Sequence, residues 1–578
     1  MKALAAARAL LPGRRDYEQL PRTWKGDLVA GVTVGIVALP LALAFGVSSG
    51  AGAASGLVTA VIAGVIAAIF GGSNIQVSGP TGAMAVVLGP VIATHGVAAL
   101  AAVSVLAGVI VAAAGLLKLG RAVTFLPWPV IEGFTLGIAV IIFLQQVPAA
   151  FGVKAGPSSN AAVSAVQGLG TLSPATALAP AALVVLVALI MIVAPRIHPQ
   201  IPGSLIAIIV ASIAAQVLDL PVARIGSLPD ALPAPVIPSL DWGTVTALAG
   251  PAATIAALAA IESLLSARVA ASISNTGPYD ADRELLGQGL ASICSGFFGG
   301  MPATGAIART AVNIRSGGRT RVAATTHALI LLAVVYLATG PVSRIPLAAL
   351  AGVLMVTATR MVSLATLRSV IGSTRADTVV FFVTALITVS FDLIEAVAIG
   401  IAVASFFALR ALVRSSGVHR EEIPGPVQDG DEHIAVFRLD GALFFAAAER
   451  VLERVSTIRN ADVVIIRMSQ LQVLDATGAR VITDIVNALE RRGITVLIKG
   501  IQDRHLALVT RVGVLESLRH HKHLFAELPP AVEHARSHVA RARAARAAQN
   551  PAHNAGNDAP GPPAQEPGTA QTPTGAAQ

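Results

Sequence analysis

A single cysteine, Cys294, among 578 residues excludes an intramolecular disulfide, and its apolar neighbours mark it as a packed free thiol. Charge is scarce as well. Asp, Glu, Lys and Arg make up 13% of the chain, about half the share of an ordinary soluble domain. None of the four stands between Asp27 and Lys118, whereas about 20 apolar residues suffice to cross the hydrocarbon core of a bilayer. Several membrane spans must lie in that stretch, and an ordinary cytosolic enzyme is excluded. The sequence also lacks any arrangement like a hydrolytic triad, a metal-ligand cluster or a phosphate-gripping loop. No catalytic residue, no cofactor and no metal other than sodium is therefore expected.

The net charge is +9, yet Lys and Arg lie in short loops and at the chain ends rather than along one helix face. Membrane topology accounts for them, so lipid is an expected partner and nucleic acid is not. The first 25 residues carry Lys2, Arg8, Arg14, Arg15, Arg22 and Lys25 without a cleavable signal pattern, and the first span is expected to be retained. Ordinary charge density returns near Arg414, which places a soluble domain behind a large membrane domain.

Apolar runs bounded by Gly, Pro or charge predict fourteen spans, seven between 28 and 220 and seven between 245 and 415. Basic residues fall in every second loop: Lys118 and Arg121, then Arg196, Arg268 and Arg283, Arg315 to Arg321, Arg360 to Arg375, and Arg410 with Arg414. With the amino terminus cytoplasmic, the even count returns the soluble domain to the cytoplasm of a plasma-membrane protein.

Two runs are too short to cross, one from Thr81 and one from Gly305. Phe70-Gly71-Gly72 precedes Pro80-Thr81-Gly82-Ala83, and Phe298-Gly299-Gly300 precedes Pro302 and Thr304-Gly305-Ala306. Such interrupted segments at corresponding places in two halves point to a transporter binding site. Seven spans separate the copies, which implies an inverted repeat; the alternative is a chance match among common Ala and Gly residues. Two half-helices opening at mid-membrane would aim unpaired N–H groups and positive dipole ends at one anion. Thr81, Gly82 and Ala83 would donate from one side, and Gly305, Ala306 and Ile307 from the other, with Arg309 one turn on.

Glu262 stands mid-span and is a functional candidate by position. It either pairs structurally with Arg309 or Arg268, or holds a coupling ion, H⁺ or Na⁺, with Ser266 one turn later as a further ligand. Glu132, Gln145 and Gln146 are read as anchors of their span, and His327 as a packing or interfacial residue. From 432 to 530, strands at Ile434, Asp462 and Ile494 alternate with helices from Ala479 and Arg504, a small α/β domain. After 531 the composition becomes Ala/Arg-rich, then Pro/Gly-rich, and disorder is expected.

The run from Asp27 through Pro40 to Phe45, with Gly79-Pro80-Thr81-Gly82, Glu262-Ser263-Leu264-Leu265-Ser266, Glu284-Leu285-Leu286-Gly287-Gln288-Gly289 and Arg309-Thr310-Ala311-Val312-Asn313, resembles the sulfate permease (SulP) family of anion transporters. The resemblance implies two inverted seven-span repeats, core plus gate, working as an elevator, and adds Phe45 to the anion site. The carboxy-terminal domain is similar to STAS domains through Leu474-Asp475-Ala476-Thr477-Gly478. Expected boundaries are a cytoplasmic segment 1–27, the transport domain 28–415, a linker 416–431, STAS at 432–530 and a disordered tail 531–578.

The stretch from Ala38 to Ala53 looks most like the cyanobacterial sodium-dependent bicarbonate transporters of that family. Glu262 stands where those carry Asp, Ile307 where they carry a sodium-ligating Thr, and Leu41 where some members place Gln; Ser266 is a tolerable replacement for Thr. The family implies a bicarbonate or sulfate carrier and a homodimer, with a proton-coupled dicarboxylate carrier next. An anion channel and a STAS-based signalling scaffold are the alternatives from other classes. Thr477 is a candidate phosphosite, matching a Ser or Thr phosphorylated in related domains; otherwise it caps its helix.

Overall fold

A computed structural model describes residues 12–121, 127–158, 160–198, 201–362, 364–391, 393–415, 417–443 and 460–549, and the chain splits into the compact units Met1–Ser405 and Phe406–Gln578. The first unit begins with α1 (Leu20–Ser48), α2 (Ala53–Phe70), strand β1 (Ser78–Gly79), α3 (Gly82–His95), α4 (Ala99–Leu116), α5 (Trp128–Ala150), α6 (Ala161–Leu169), α7 (Pro174–Ile197) and α8 (Gly203–Val217). It continues through α9 (Trp242–Ile273), α10 (Ala281–Phe297), strand β2 (Thr304–Gly305), α11 (Ile307–Arg315), α12 (Arg321–Leu337), α13 (Thr339–Ser343), α14 (Leu347–Met361), α15 (Leu364–Ile371) and α16 (Arg375–Ser390), and α17 (Leu393–Ser415) carries the chain from the first unit into the second. Every one of the fourteen apolar runs is a helix, and α6, α13 and α15 are short additions in the connections. Among the described residues seven helices are long and apolar enough to cross a membrane.

Helices are the form these runs must take, because a span surrounded by lipid has to satisfy its backbone polar groups internally. The helix starts are set by capping side chains: Thr81 for α3, Asp241 for α9, Asp280 for α10, Thr320 for α12 and Thr374 for α16. Packing sorts the helices into two groups. In one, α1 to α4 pack with α9 to α12; in the other, α5 packs with α14 and α16, and α7 with α8 and α14. Small residues permit a close crossing of α4 on α10: a Cβ on Gly108 would come within 2.7 Å of the Gly289 carbonyl, and one on Gly289 within 2.4 Å of the Ala112 nitrogen.

Asp27 anchors the first group. Its carboxylate is fully buried and accepts from the Arg319 and Thr320 N–H groups at 2.6 and 2.9 Å and from the Thr23 and Thr320 hydroxyls at 2.8 and 2.7 Å. It thus closes the amino-terminal end of α12 from the first turns of α1. Asp27→Ala is expected to cost about 2 to 4 kcal/mol, since several hydrogen bonds to a charged acceptor are lost together; thermal unfolding in detergent measures it.

The second unit is a mixed sheet in the order β3 (Gly417–Glu421), β4 (Ile434–Leu443), β5 (Val463–Arg467), β7 (Thr495–Lys499), β8 (Leu524–Phe525), with β6 (Leu471–Leu474) on the far end of β4. β3 is antiparallel to β4, and the remaining pairs are parallel. Alternate residues face opposite sides. Ala435, Phe437, Val464, Ile466 and Val496 meet α18 (Ala476–Arg491) and α19 (Asp503–Arg511), while Ile434, Val436, Val463, Ile465 and Leu497 meet α20 (Leu528–Gln549).

Two expectations are corrected here. The segment 416–431 is not all linker: Gly417–Glu421 is an edge strand, with Val418 buried and Glu421 accepting from Arg438 and Arg467 at 2.5 and 2.9 Å. The tail is not disordered from 531, because α20 runs to Gln549. Its apolar content is low, but Ala531, Val532, Ala535 and Val539 form one narrow stripe that covers the sheet. The rest of the expected tail, 550–578, lies outside the described residues.

Ion pairs clamp the helix: Arg536 donates to both oxygens of Asp431 at 2.8 Å, and Arg543 reaches Asp429 at 2.8 Å. The hydrogen bond from Arg536 holds the Asp431 carboxyl below the usual carboxylate range. A depressed folded-state value stabilises the fold above the ordinary carboxylate pKa and stops doing so as pH falls through the depressed one. Amide exchange across Leu528–Gln549 is therefore expected to stay flat from neutral pH to about 4 and to accelerate below it, beyond the intrinsic pH dependence. Arg536→Met should exchange faster already at neutral pH.

Candidate functional site

Two short strands bring the sequence motifs together. β1 and β2 pair antiparallel, Ser78 opposite Gly305 and Gly79 opposite Thr304, and each leads almost directly into a helix. The amino-terminal ends of α3 and α11 therefore lie on either side of a two-residue ladder, both carrying the positive end of a helix dipole. Thr81 is the cap of α3, its hydroxyl accepting from the Met84 N–H at 3.5 Å, and Gly82 and Ala83 keep first-turn donors. α3 is longer than expected, running on through Pro90 to His95.

The other half of the predicted donor set shifts along the chain. Gly305 N–H donates to the Ser263 hydroxyl at 3.1 Å and Ala306 N–H to the Val77 carbonyl at 2.9 Å, so both are already engaged. Ala306 is the cap of α11, and the first-turn donors there belong to Ile307 and Ala308. Both of those residues are exposed, whereas Thr81, Gly82 and Ala83 are buried. The physical reason is that Ser263 and the Val77 carbonyl hold the Gly305 and Ala306 N–H groups, so Thr304 and Gly305 stay in β2 and the cap falls on Ala306, two residues later in the match than Thr81 in its copy.

Arg309 is 3% exposed and reaches back across the ladder. Its Nη2 donates to the Pro80 carbonyl at 2.5 Å, and Nη1 has no protein partner. A Cβ on Gly79 would lie 2.6 Å from that Nη1, so glycine is what lets the guanidinium lie against the strand. Glu262, on α9, accepts from the Thr81 hydroxyl at 2.9 Å, and the Thr304 side chain lies against the same carboxylate. Its direct partner is thus the cap of α3; among the described residues no ion pair joins it to Arg309 or Arg268. Ser266 faces Thr310 at 3.5 Å, not Glu262, and Thr310 in turn accepts from the Val77 N–H at 3.0 Å.

Phe45 covers the start of α3 from the first group and Ile142 from the second: a Cβ on Gly82 would meet Phe45 Cε1 at 3.2 Å and Ile142 Cδ1 at 2.3 Å. A cavity of about 790 Å³, between Leu41, Ala308, Val312 and Met191, extends to Arg315 and Arg360. A second, of about 660 Å³, lies beside the later turns of α3, between Val87, Pro90, Ile141, Gln145 and Thr254. Phe45, Gly82 and Ile142 line neither.

Sequence reasoning gave no role to Gln76, Ser263, Thr304, Thr310 and Asn313, which are uncharged, although the last four stand within the quoted motifs. Gln76 is the most unusual, with both amide atoms unpartnered and its Nε2 only 1.5 Å from where a Cβ on Gly305 would stand. Gln146 donates to Ser48 at 3.3 Å, and Glu132 accepts from Trp128 at 3.0 Å, in keeping with anchoring. His327 is fully buried rather than interfacial. In the second unit Asp475 caps α18, accepting from the Gly478 N–H at 2.7 Å, and Thr477 is exposed in the first turn. Thr477 is therefore not the cap.

Paired helix amino termini beside a buried arginine and a half-buried glutamate, in a bundle of apolar helices followed by an α/β domain, are the features of an integral membrane transport protein. The chain belongs to the sulfate permease family, whose profile matches residues 24–384, and a STAS domain matches residues 426–531. It is 34% identical to the putative sulfate transporter YvdB of Bacillus subtilis over 85% of this chain and 94% of that protein. It is 32% identical to the bicarbonate transporter BicA of Synechocystis over 83% and 88%. The solved transmembrane domain of a cyanobacterial BicA superposes with a TM-score of 0.60 at 34% identity, over 65% of this chain and 98% of that one. SLC26A9 shares the fold, at a TM-score of 0.78 and 18% identity over 93% and 94%.

Proposed function

We propose that this chain is a secondary active carrier of a small anion, bicarbonate or sulfate, in the cytoplasmic membrane. The observation that carries the reading is the β1–β2 ladder, which presents the first turns of α3 and α11 and a buried Arg309 to one place. An anion there is stabilised by N–H donors and two helix dipoles in a low-dielectric setting, as at other helix amino termini. The fourteen apolar helices are fourteen spans in two inverted repeats, with the amino terminus and STAS domain cytoplasmic. The antiparallel meeting of the two motif copies supports the inversion, and the presence of Arg315 and Arg360 in the lining of the larger cavity supports a cytoplasmic opening there.

Transport is an elevator movement of the group holding α3 and α11 against the group holding α5, whose contact at Gly82, Phe45 and Ile142 is remade in each cycle. Glu262 couples it to a cation, with the proton preferred over sodium: Ser266 is turned away, and Thr81 links the carboxylate directly to the anion side. The soluble domain supports a homodimer and regulation, with Thr477 as phosphosite; its place in the first turn of α18 favours added negative charge.

Binding tests the division of labour. In detergent, sulfate or bicarbonate should raise the melting temperature of the full chain and of a chain ending at Ser415 alike. A shorter chain that stays folded and no longer responds would place part of the anion site in the soluble domain. Arg309→Met should weaken either anion about ten- to hundredfold, the loss of one charged hydrogen-bonding group.

A further inference from the structure

The second unit gathers three imidazoles that the anion site does not use. His534 and His538 stand one turn apart on α20 and so share a face, while His523 closes the short turn that enters β8. One ring nitrogen from each lies within 4.8 Å of the other two, and the Nε2 atoms of His534 and His538 are 3.2 Å apart. That separation is close to the edge of a tetrahedron built on metal–nitrogen bonds of about 2.0 to 2.1 Å.

His523 is 4% exposed, and among the described residues its Nδ1 has no partner, although the ring is hydrogen-bonded to the Val496 backbone. A metal-bound imidazole is commonly oriented in this way, one nitrogen on a carbonyl and the other on the ion. An unpartnered buried nitrogen costs free energy unless something fills it.

We propose that His523, His534 and His538 form a binding site for a divalent transition metal, zinc above all, that fastens α20 to the β8 edge of the sheet. The sequence expectation of no metal-ligand cluster is corrected accordingly: the His534 and His538 pair alone is a common helical spacing, and the third ring arrives only through the fold. Three nitrogens leave one tetrahedral position for water or an exogenous ligand. The site lies within the second unit and stands or falls independently of anion transport.

The test uses the full chain in detergent, stripped with a chelator and titrated with Zn²⁺ alone. One equivalent should bind per chain, slow amide exchange across Leu528–Gln549, and show an X-ray absorption shell of imidazole nitrogens at about 2.0 to 2.1 Å. His534→Ala and His538→Ala should each weaken binding at least about tenfold, with His419→Ala, on the opposite edge strand, unchanged. No stoichiometric zinc, or affinity untouched in either variant, overturns the proposal. Should a variant unfold, the absorption spectrum of the unsubstituted chain decides: a shell without imidazole overturns it.

Discussion

Glu262→Gln is expected to abolish gradient-driven accumulation of the anion while leaving exchange down its own gradient intact. The amide oxygen still accepts from Thr81, whose hydroxyl donates to the carboxylate at 2.9 Å, so the cap of α3 and the fold survive. What disappears is the group that takes up or releases the coupling ion. A pH gradient of one unit is worth about 1.4 kcal/mol, or about tenfold accumulation per coupled proton. The variant should fall to the equilibrium ratio under an imposed pH gradient and under a Na⁺ gradient alike. Accumulation equal to the unsubstituted chain with both gradients tested would make Glu262 a structural residue.

Gly82→Leu should lower the transport rate about ten- to hundredfold, by a different route. Gly82 is the first residue of α3, and even a Cβ there would lie 2.3 Å from Ile142 Cδ1 and 3.2 Å from Phe45 Cε1. A leucine drives a wedge between the two helical groups where they must come together. Overpacking of this kind costs about 1 to 3 kcal/mol, which shifts the population of the closed arrangement about ten- to hundredfold. The protein should still insert and elute as a single species, because Ile142 belongs to the second group and can move away with it. Gly82→Ala should be impaired less. Near-normal uptake by Gly82→Leu would show that α3 and α5 need not meet at this point.

The positions of the helices in the first unit are legible in the sequence because their signal is long-range and redundant. The apolar runs, the breaks between them and the alternation of basic loops repeat along the whole domain, and each run is a helix here. The site is legible only in outline. Thr81, Glu262 and Arg309 stand out as polar residues in apolar surroundings, and the structure does bring Thr81 to Glu262 and Arg309 to Pro80. The hidden part concerns which hydroxyl takes which N–H. Ser263 holds the Gly305 N–H and the Val77 carbonyl that of Ala306, which delays the start of α11, a choice that rests on two hydrogen bonds and leaves no pattern along the chain.

The same holds at the carboxy terminus. Composition correctly describes residues after 531 as poor in large apolar side chains, but a sheet face already lined by Ile434, Val436, Val463, Ile465 and Leu497 needs only a narrow Ala and Val stripe to seat a helix. The unbroken apolar runs of β4 and β5, whose alternate residues face opposite sides, show two apolar faces in the strands themselves, and a second covering helix is their counterpart. Arg536, Arg543 and Arg546, read from composition as a solvated tail, instead meet Asp431, Asp429, Glu432 and Asp462.

The most direct measurement is uptake of radiolabelled bicarbonate and sulfate into proteoliposomes containing the full chain, with pH and Na⁺ gradients imposed in turn. Saturable accumulation of one of these anions above its equilibrium level, driven by one of the two gradients, is the expected result. No accumulation of bicarbonate, sulfate or a small dicarboxylate under either gradient would contradict a secondary carrier, as would a conductance far above carrier turnover, which would make the protein a channel.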